Sequence, residues 1–253
     1  MGTELIDPQS IRNVTVVGAP EDTRGVVHRL RRALTEAGPV SAAWPAGHTI
    51  RLDELSTHAP IPLLERSIRL ADGMLAVMNA TTDSPRLEAA LRVADDHQVA
   101  RLCLVTGLDR PGADFDRCVR TIAGTHGAVP LVLHVPHGLG TLFDGVVQLI
   151  PVWAMEPVAT AYYGRQWSFA EPWYRRLRAA IMHSDAASAD TGRPDMPPER
   201  VHDHVRRLTH VGDAVPVLCD AAARGDVTPL LDAVARYLPS PLQVCQPAHA
   251  LDY

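Results

Sequence analysis

Short apolar or β-branched runs alternate with amphipathic stretches along most of this 253-residue chain, and that alternation calls for an open, mostly parallel sheet covered by helices on both faces. Strands are predicted at Val14–Val17, near Thr49–Leu52, and at Met74–Met78, Leu102–Val105, Val129–Val135 and Val215–Cys219. Between them, helical spacing appears at Val26–Ala37, closed by Gly38, and at Leu63–Leu70, Pro85–His97, Asp114–Thr125 and Thr228–Tyr237. The interval Phe143–Asp213 breaks the rhythm: it holds three of the four Trp residues and a polar stretch, Ser184–Glu199. It reads as an inserted subdomain with helices around Pro172–His183 and Glu199–Thr209 joined by a loop. Ligands of such sheets bind at the carboxyl ends of the strands, so the residues that follow each strand carry the functional question.

Composition narrows that question. With 46% hydrophobic residues the chain can bury a sizeable core, and a net charge of −5 offers no general basic field for DNA or an anionic membrane. The longest apolar runs, such as Leu131–Val135, fall far short of the roughly 20 residues that span a bilayer. Met1–Ser10 has two acidic residues and no apolar core, so no secretory signal is read there and a cytoplasmic address is expected. Cys103, Cys118, Cys219 and Cys245 lie far apart without a CxxC pair and are expected as reduced thiols. No metal site is expected either. His202 and His204 point apart on a helix, and His134 and His137 flank a strand end as solvated or hydrogen-bonded side chains. Arg175, Arg176 and Arg178 beside Trp173 and Tyr174 read as a solvated helix face over buried aromatics rather than an RNA patch.

Seven blocks, in order, carry a resemblance. They are Ile11-Arg12-Asn13-Val14, Glu65-Arg66-Ser67-Ile68-Arg69-Leu70-Ala71-Asp72-Gly73, Asp109-Arg110-Pro111-Gly112-Ala113-Asp114-Phe115-Asp116, Phe143-Asp144-Gly145-Val146-Val147, Pro216-Val217-Leu218-Cys219, Pro229-Leu230-Leu231-Asp232-Ala233-Val234 and Tyr237-Leu238-Pro239-Ser240-Pro241. Together they resemble elongation factor G. The resemblance implies a P-loop-NTPase-like α/β fold: a translational-GTPase-type G domain over 11–242, with an α+β G′-like insertion at about 143–213. Tails of 1–10 and 243–253 flank it. It ends at Leu242, so the domains that follow the G domain in that family are not expected here.

The nucleotide motifs of that family are altered position by position. All 24 basic residues are arginine and none is lysine. Where the family has a phosphate-wrapping loop ending Gly-Lys-Thr, this chain has Gly18-Ala19-Pro20-Glu21-Asp22-Thr23-Arg24-Gly25. Arg24 stands for the lysine, Gly25 for the Mg²⁺-binding hydroxyl and Thr23 for a glycine, while Pro20 has no N–H to offer. Glu21 and Asp22 put two carboxylates at a helix N-terminus, and Glu21–Thr23 is expected to form a capped strand-to-helix turn. Of the metal-and-water motif only Asp53 is retained; Ser56 stands for the γ-phosphate-sensing glycine and Thr57 for the water-positioning histidine, with His58 one residue out of register. Fourteen residues separate Gly38 from Asp53, too few for the long switch loop that brings a Mg²⁺-binding threonine. Base recognition reduces to Thr106-Gly107-Leu108-Asp109, where Asp109 retains the carboxylate for guanine, and to Ala221-Ala222, where Ala222 offers a backbone N–H.

Two function classes follow. In the first the chain is a pseudo-GTPase, with no catalytic residue, no resident metal and no cofactor, that binds a protein; the resemblance points to the ribosomal stalk protein, through the G′-like insertion, or to a translation factor. In the second it is a GTP-binding protein and slow GTPase that holds GTP or GDP with Mg²⁺ through Gly18, Arg24, Asp53, Thr106, Asp109 and Ala222.

Overall fold

Three strands buried along their whole length set the centre of the sheet: β3 (Gly73–Asn79), β4 (Ala100–Thr106) and β8 (Ala214–Cys219). A strand without an exposed side must be covered on both faces, which is why these segments read as unbroken apolar runs rather than as alternation. The computed structural model describes residues 7–37, 48–125, 129–153, 158–185, 196–220 and 226–244. Its main sheet has six strands in the order β2-β1-β3-β4-β8-β5, with β1 at Ile11–Gly18, β2 at Thr49–Ser56 and β5 at Val129–Val132, and every pairing is parallel. β2 forms one edge and keeps Arg51, Asp53 and Glu54 exposed, as charges on an edge strand do.

Helices connect the strands. α1 (Pro20–Ala37) packs on β1, β2 and β3; α2 (Ile61–Arg69) lies against β2, and α3 (Pro85–Asp96) against β1 and β3. α4 (Phe115–Ala123) carries Phe115, Cys118, Val119 and Ile122 into the core, spaced at the three- and four-residue steps that put side chains on one helix face. Its first turn is capped by the Asp114 carboxylate, which accepts the Arg117 N–H at 2.8 Å.

The predicted strand Val129–Val135 divides in two. Leu133 is the handover point: its N–H donates to Val217 O at 3.0 Å, and its own carbonyl accepts from Leu149 N at 2.9 Å. The chain thus leaves β8 and enters an antiparallel hairpin of β6 (His134–His137) and β7 (Gly145–Gln148). Among the described residues, the helices α5 (Leu149–Trp153), α6 (Ala159–Tyr163), α7 (Arg165–Asp185) and α8 (Pro198–His210) follow. Their aromatic residues Trp153, Trp167, Trp173 and Tyr174 are buried in the same apolar cluster as the sheet. Trp173 meets Phe115 of α4 edge-on at 5.4 Å between ring centroids. The final helix, α9 (Thr228–Tyr237), packs on α8, and Arg12 of β1 reaches it by donating Nε–H to Ala235 O at 3.1 Å.

Cys103, Cys118 and Cys219 are free and buried, and burial pushes the first two thiols up to about 12 and about 11. Among the described residues no helix is long and apolar enough to cross a membrane.

Two features of this interior have measurable consequences. Arg101 is only 1% exposed, yet its charge is matched: it pairs with Asp95 at 2.7 Å and donates to Leu91 O and Gly212 O. Arg101→Ala leaves a largely buried carboxylate without its partner and is expected to cost about 3–5 kcal/mol in urea unfolding. Burial also depresses the imidazoles of His134 and His210, each from 6.5 to about 4; at His210 the neighbouring guanidinium groups of Arg206 and Arg12 add to the effect. The unfolded chain therefore takes up protons first as pH falls below 6.5. Stability is complete above that value and is lost progressively down to about pH 4. Melting temperature followed against pH should be flat above neutrality and fall across this window, and His210→Gln should fall less steeply.

Candidate functional site

At the carboxyl edge of the sheet one residue, Ala19, separates β1 from α1. The sequence reading places a polar loop before a helix starting at Val26; instead the helix begins six residues earlier, at Pro20. The apolar period starts only at Val26, but Pro20 is pre-set for the first helical position and Glu21 and Asp22 complement the positive helix end. The amides of Asp22 and Thr23 already donate to Ala19 O at 2.9 and 3.0 Å. The backbone that would wrap a phosphate is therefore the first turn of an ordinary helix. Glu21–Thr23, expected as a capped strand-to-helix turn, lies instead within the first turns of α1.

Gly18 is where this close junction is decided. A Cβ there would lie 2.7 Å from Thr23 Cγ2 and 3.0 Å from Val77 O. Thr23 itself is buried, and its hydroxyl donates to Glu54 Oε1 at 2.8 Å. Beside it, Asn79 at the end of β3 donates Nδ2–H to Asp22 Oδ1 at 2.6 Å. Asn79 Oδ1 in turn accepts from both the amide and the hydroxyl of Thr81, at 2.9 and 2.8 Å, which orients the side-chain amide. Partial burial raises the Asp22 pKa and the nearby Glu21 carboxylate adds to this, whereas the Asn79 hydrogen bond and Arg110 oppose it.

The remaining expected site residues scatter along this edge. Gly18 and Thr106 stand at strand ends, and Thr106 is buried with its hydroxyl donating to Met78 O at 3.3 Å. Arg24 is exposed on α1. Asp53 is exposed and lies opposite Thr15, three residues before Ser56, which is the residue that faces Gly18. Thr57 is buried, and Arg86 donates to its carbonyl at 3.0 Å; His58 is exposed. Asp109 is exposed just after Gly107, whose φ of +68° and close approach to Asn79 Oδ1 suit glycine alone. Ala222 lies outside the described residues.

Three residues that hold this edge together escape the motif reading: Glu54, Asn79 and Asp220. Asp220, just past β8, accepts from Arg29 of α1 at 2.6 Å in a mostly buried ion pair. The signal for Asn79 and Asp220 was present, since each is a polar residue that ends an apolar strand at the carboxyl edge. The carboxylates of Asp22, Glu54 and Asp220 thus engage protein donors around the N-terminal half of α1, and Glu21 adds an exposed negative charge in its first turn.

No family model matches the chain. It is 39% identical over 220 residues to Elongation factor G 2 of Streptomyces coelicolor, covering 82% of this chain and 32% of that protein. The chain therefore spans about a third of the length of this curated relative. Among solved structures it resembles ttk003000868 from Thermus thermophilus, with a TM-score of 0.64, 18% identity and coverage of 93% of this chain and 41% of the other.

Because Gly18 packs against Thr23 and Val77, Gly18→Ala is expected to cost about 1–3 kcal/mol in chemical unfolding. Adding Thr23→Ser removes the interfering methyl while keeping the hydroxyl, and should recover part of that loss. Strict additivity of the two changes would show that the contact at 2.7 Å does not govern the junction.

Proposed function

The chain is homologous to the elongation factor G family over 82% of its length, as a translational GTPase-type domain, and from that premise we propose that it is a pseudo-GTPase that works by binding a protein. The observation that carries this reading is the start of α1 at Pro20. A helix that follows β1 after a single residue leaves no loop to cradle phosphates, and Asp22, held by Asn79, puts a negative charge at that place. Arg24 and Asp53 do not offset this, since both are exposed and Asp53 sits mid-strand.

Magnitudes favour the same reading. Charge-assisted hydrogen bonds contribute about 1.5–3 kcal/mol each. Without a lysine, a hydroxyl ligand for Mg²⁺ or a phosphate loop, even two lost contacts weaken nucleotide affinity by over ~100-fold. Hydrolysis would in addition lack the water-positioning histidine, whose place is taken by the buried Thr57.

The partner we propose is a component of the translation apparatus in the cytoplasm: the ribosomal stalk protein, or a translation factor. The segment that would dock is the region of α6 and α7, where Val158, Tyr162 and Phe169 are exposed next to an arginine-bearing helix face. A basic and apolar surface of this kind suits an acidic amphipathic partner.

Isothermal titration of the purified chain with GTP, GDP and a non-hydrolysable analogue, with and without Mg²⁺, tests the nucleotide half of the proposal. No heat is expected at high micromolar protein. Guanine-selective, Mg²⁺-dependent binding in the low micromolar range would replace it with the reading of a GTP-binding protein. Capture of purified stalk protein, weakened by Tyr162→Ala, tests the partner; no capture by the unaltered chain removes it.

A further inference from the structure

Away from the β1–α1 junction, between the β6–β7 hairpin and α9, a continuous cleft runs over the end of β8. It has two lobes of about 160 and 230 Å³, and both are lined by His134, Gln148, Leu218, Asp226 and Pro229. The first lobe is walled further by Leu104, Val227 and Leu230, and the second by Ile150, Ala233 and the hydrogen-bonded pair of His202 and Tyr237. Each lobe is of the size that accepts a single ring, since a cavity of about 150 Å³ holds benzene.

The polar groups of this cleft all accept or stay neutral. No arginine lines either lobe, whereas Asp220, Asp226 and Asp232 do. Two of these carboxylates are already matched from outside the cleft: Asp220 by Arg29 at 2.6 Å and Asp232 by Arg236 at 3.1 Å. Asp226 has no such partner: it accepts the Thr228 N–H at 2.9 Å and pairs with no cation among the described residues. His134, which the sequence reading leaves solvated or hydrogen-bonded, has its Nδ1 closed off from solvent without a hydrogen-bond partner. A buried polar atom of this kind carries a desolvation penalty until something bonds to it. Apolar walls and a carboxylate with no cation partner among the described residues make a site selective by charge.

We infer that this cleft binds an organic cation, an ammonium or guanidinium group carried on an apolar or aromatic body, with the cationic group at Asp226 and the body between Leu218 and Pro229, next to His134. Anions are disfavoured by the Asp226 carboxylate, so the site differs in chemistry from a nucleotide site. A free small amine and the basic side chain of a partner protein share this recognition chemistry.

Benzamidine serves as the probe, with benzamide and benzoate as its neutral and anionic counterparts. Titration followed by calorimetry and by the ¹⁵N resonances of the His134 ring should give saturable binding of benzamidine and at least 10-fold weaker binding of the other two. Asp226→Asn, a change at an exposed position that keeps an acceptor for the Thr228 N–H, should weaken benzamidine at least 10-fold without lowering the melting temperature. Agmatine and the peptide acetyl-Gly-Arg-Gly-amide separate the two sources: tighter binding of agmatine identifies a free cation, and tighter binding of the peptide a protein side chain. Equal affinity for benzamide, an unchanged affinity in Asp226→Asn, or no binding of any cation at millimolar concentration would overturn the inference. None of these outcomes depends on whether GTP binds.

Discussion

Everything at the carboxyl edge of the sheet depends on how closely α1 is set against the end of β1. With Ala19 alone between them, Gly18 must be a glycine, Thr23 must turn its methyl toward it, and the first helical amides must bond back to Ala19 O. Close packing of this kind admits two arrangements poorly: either the backbone forms a helix turn or it forms a loop around an anion. Asn79 and Glu54 hold the first arrangement by engaging Asp22 and Thr23 from the neighbouring strands β3 and β2.

Charge acts in the same direction. The positive end of a helix next to several unused amides attracts anions. Here Glu21 and Asp22 lie in that first turn, and the amides of Asp22 and Thr23 are engaged. Further along, the Arg29–Asp220 ion pair ties α1 to the end of β8, so that cation is already matched. A fold related to elongation factor G thus has its strand ends joined by its own side chains, and a cleft lies beyond β8 under the hairpin.

Legibility differed sharply between framework and site. Strands β3, β4 and β8 and helix α9 were readable because buried strands and amphipathic helices write their burial into local residue order. The first turns of α1 were not, because Pro20–Gly25 is polar and its helical state comes from the neighbours of Asp22 and Thr23. The break at Leu133 was hidden as well: its carbonyl bonds to Leu149, sixteen residues away, which no local pattern reveals. Similarly, His134 looked like one more polar residue at a strand end, and only the folded chain closes off its ring nitrogen.

By itself, the order of residues determined the parallel α/β framework, the family resemblance and the loss of lysine chemistry, because each of these depends on residue type and local spacing. Tertiary structure alone decided which polar groups meet. Asn79 and Asp22 are 57 residues apart, and Arg29 and Asp220 are 191 apart. Side chains so distant along the chain come together only where parallel strands bring their ends to one edge, so hydrogen bonding at that edge is a property of the sheet and not of any segment.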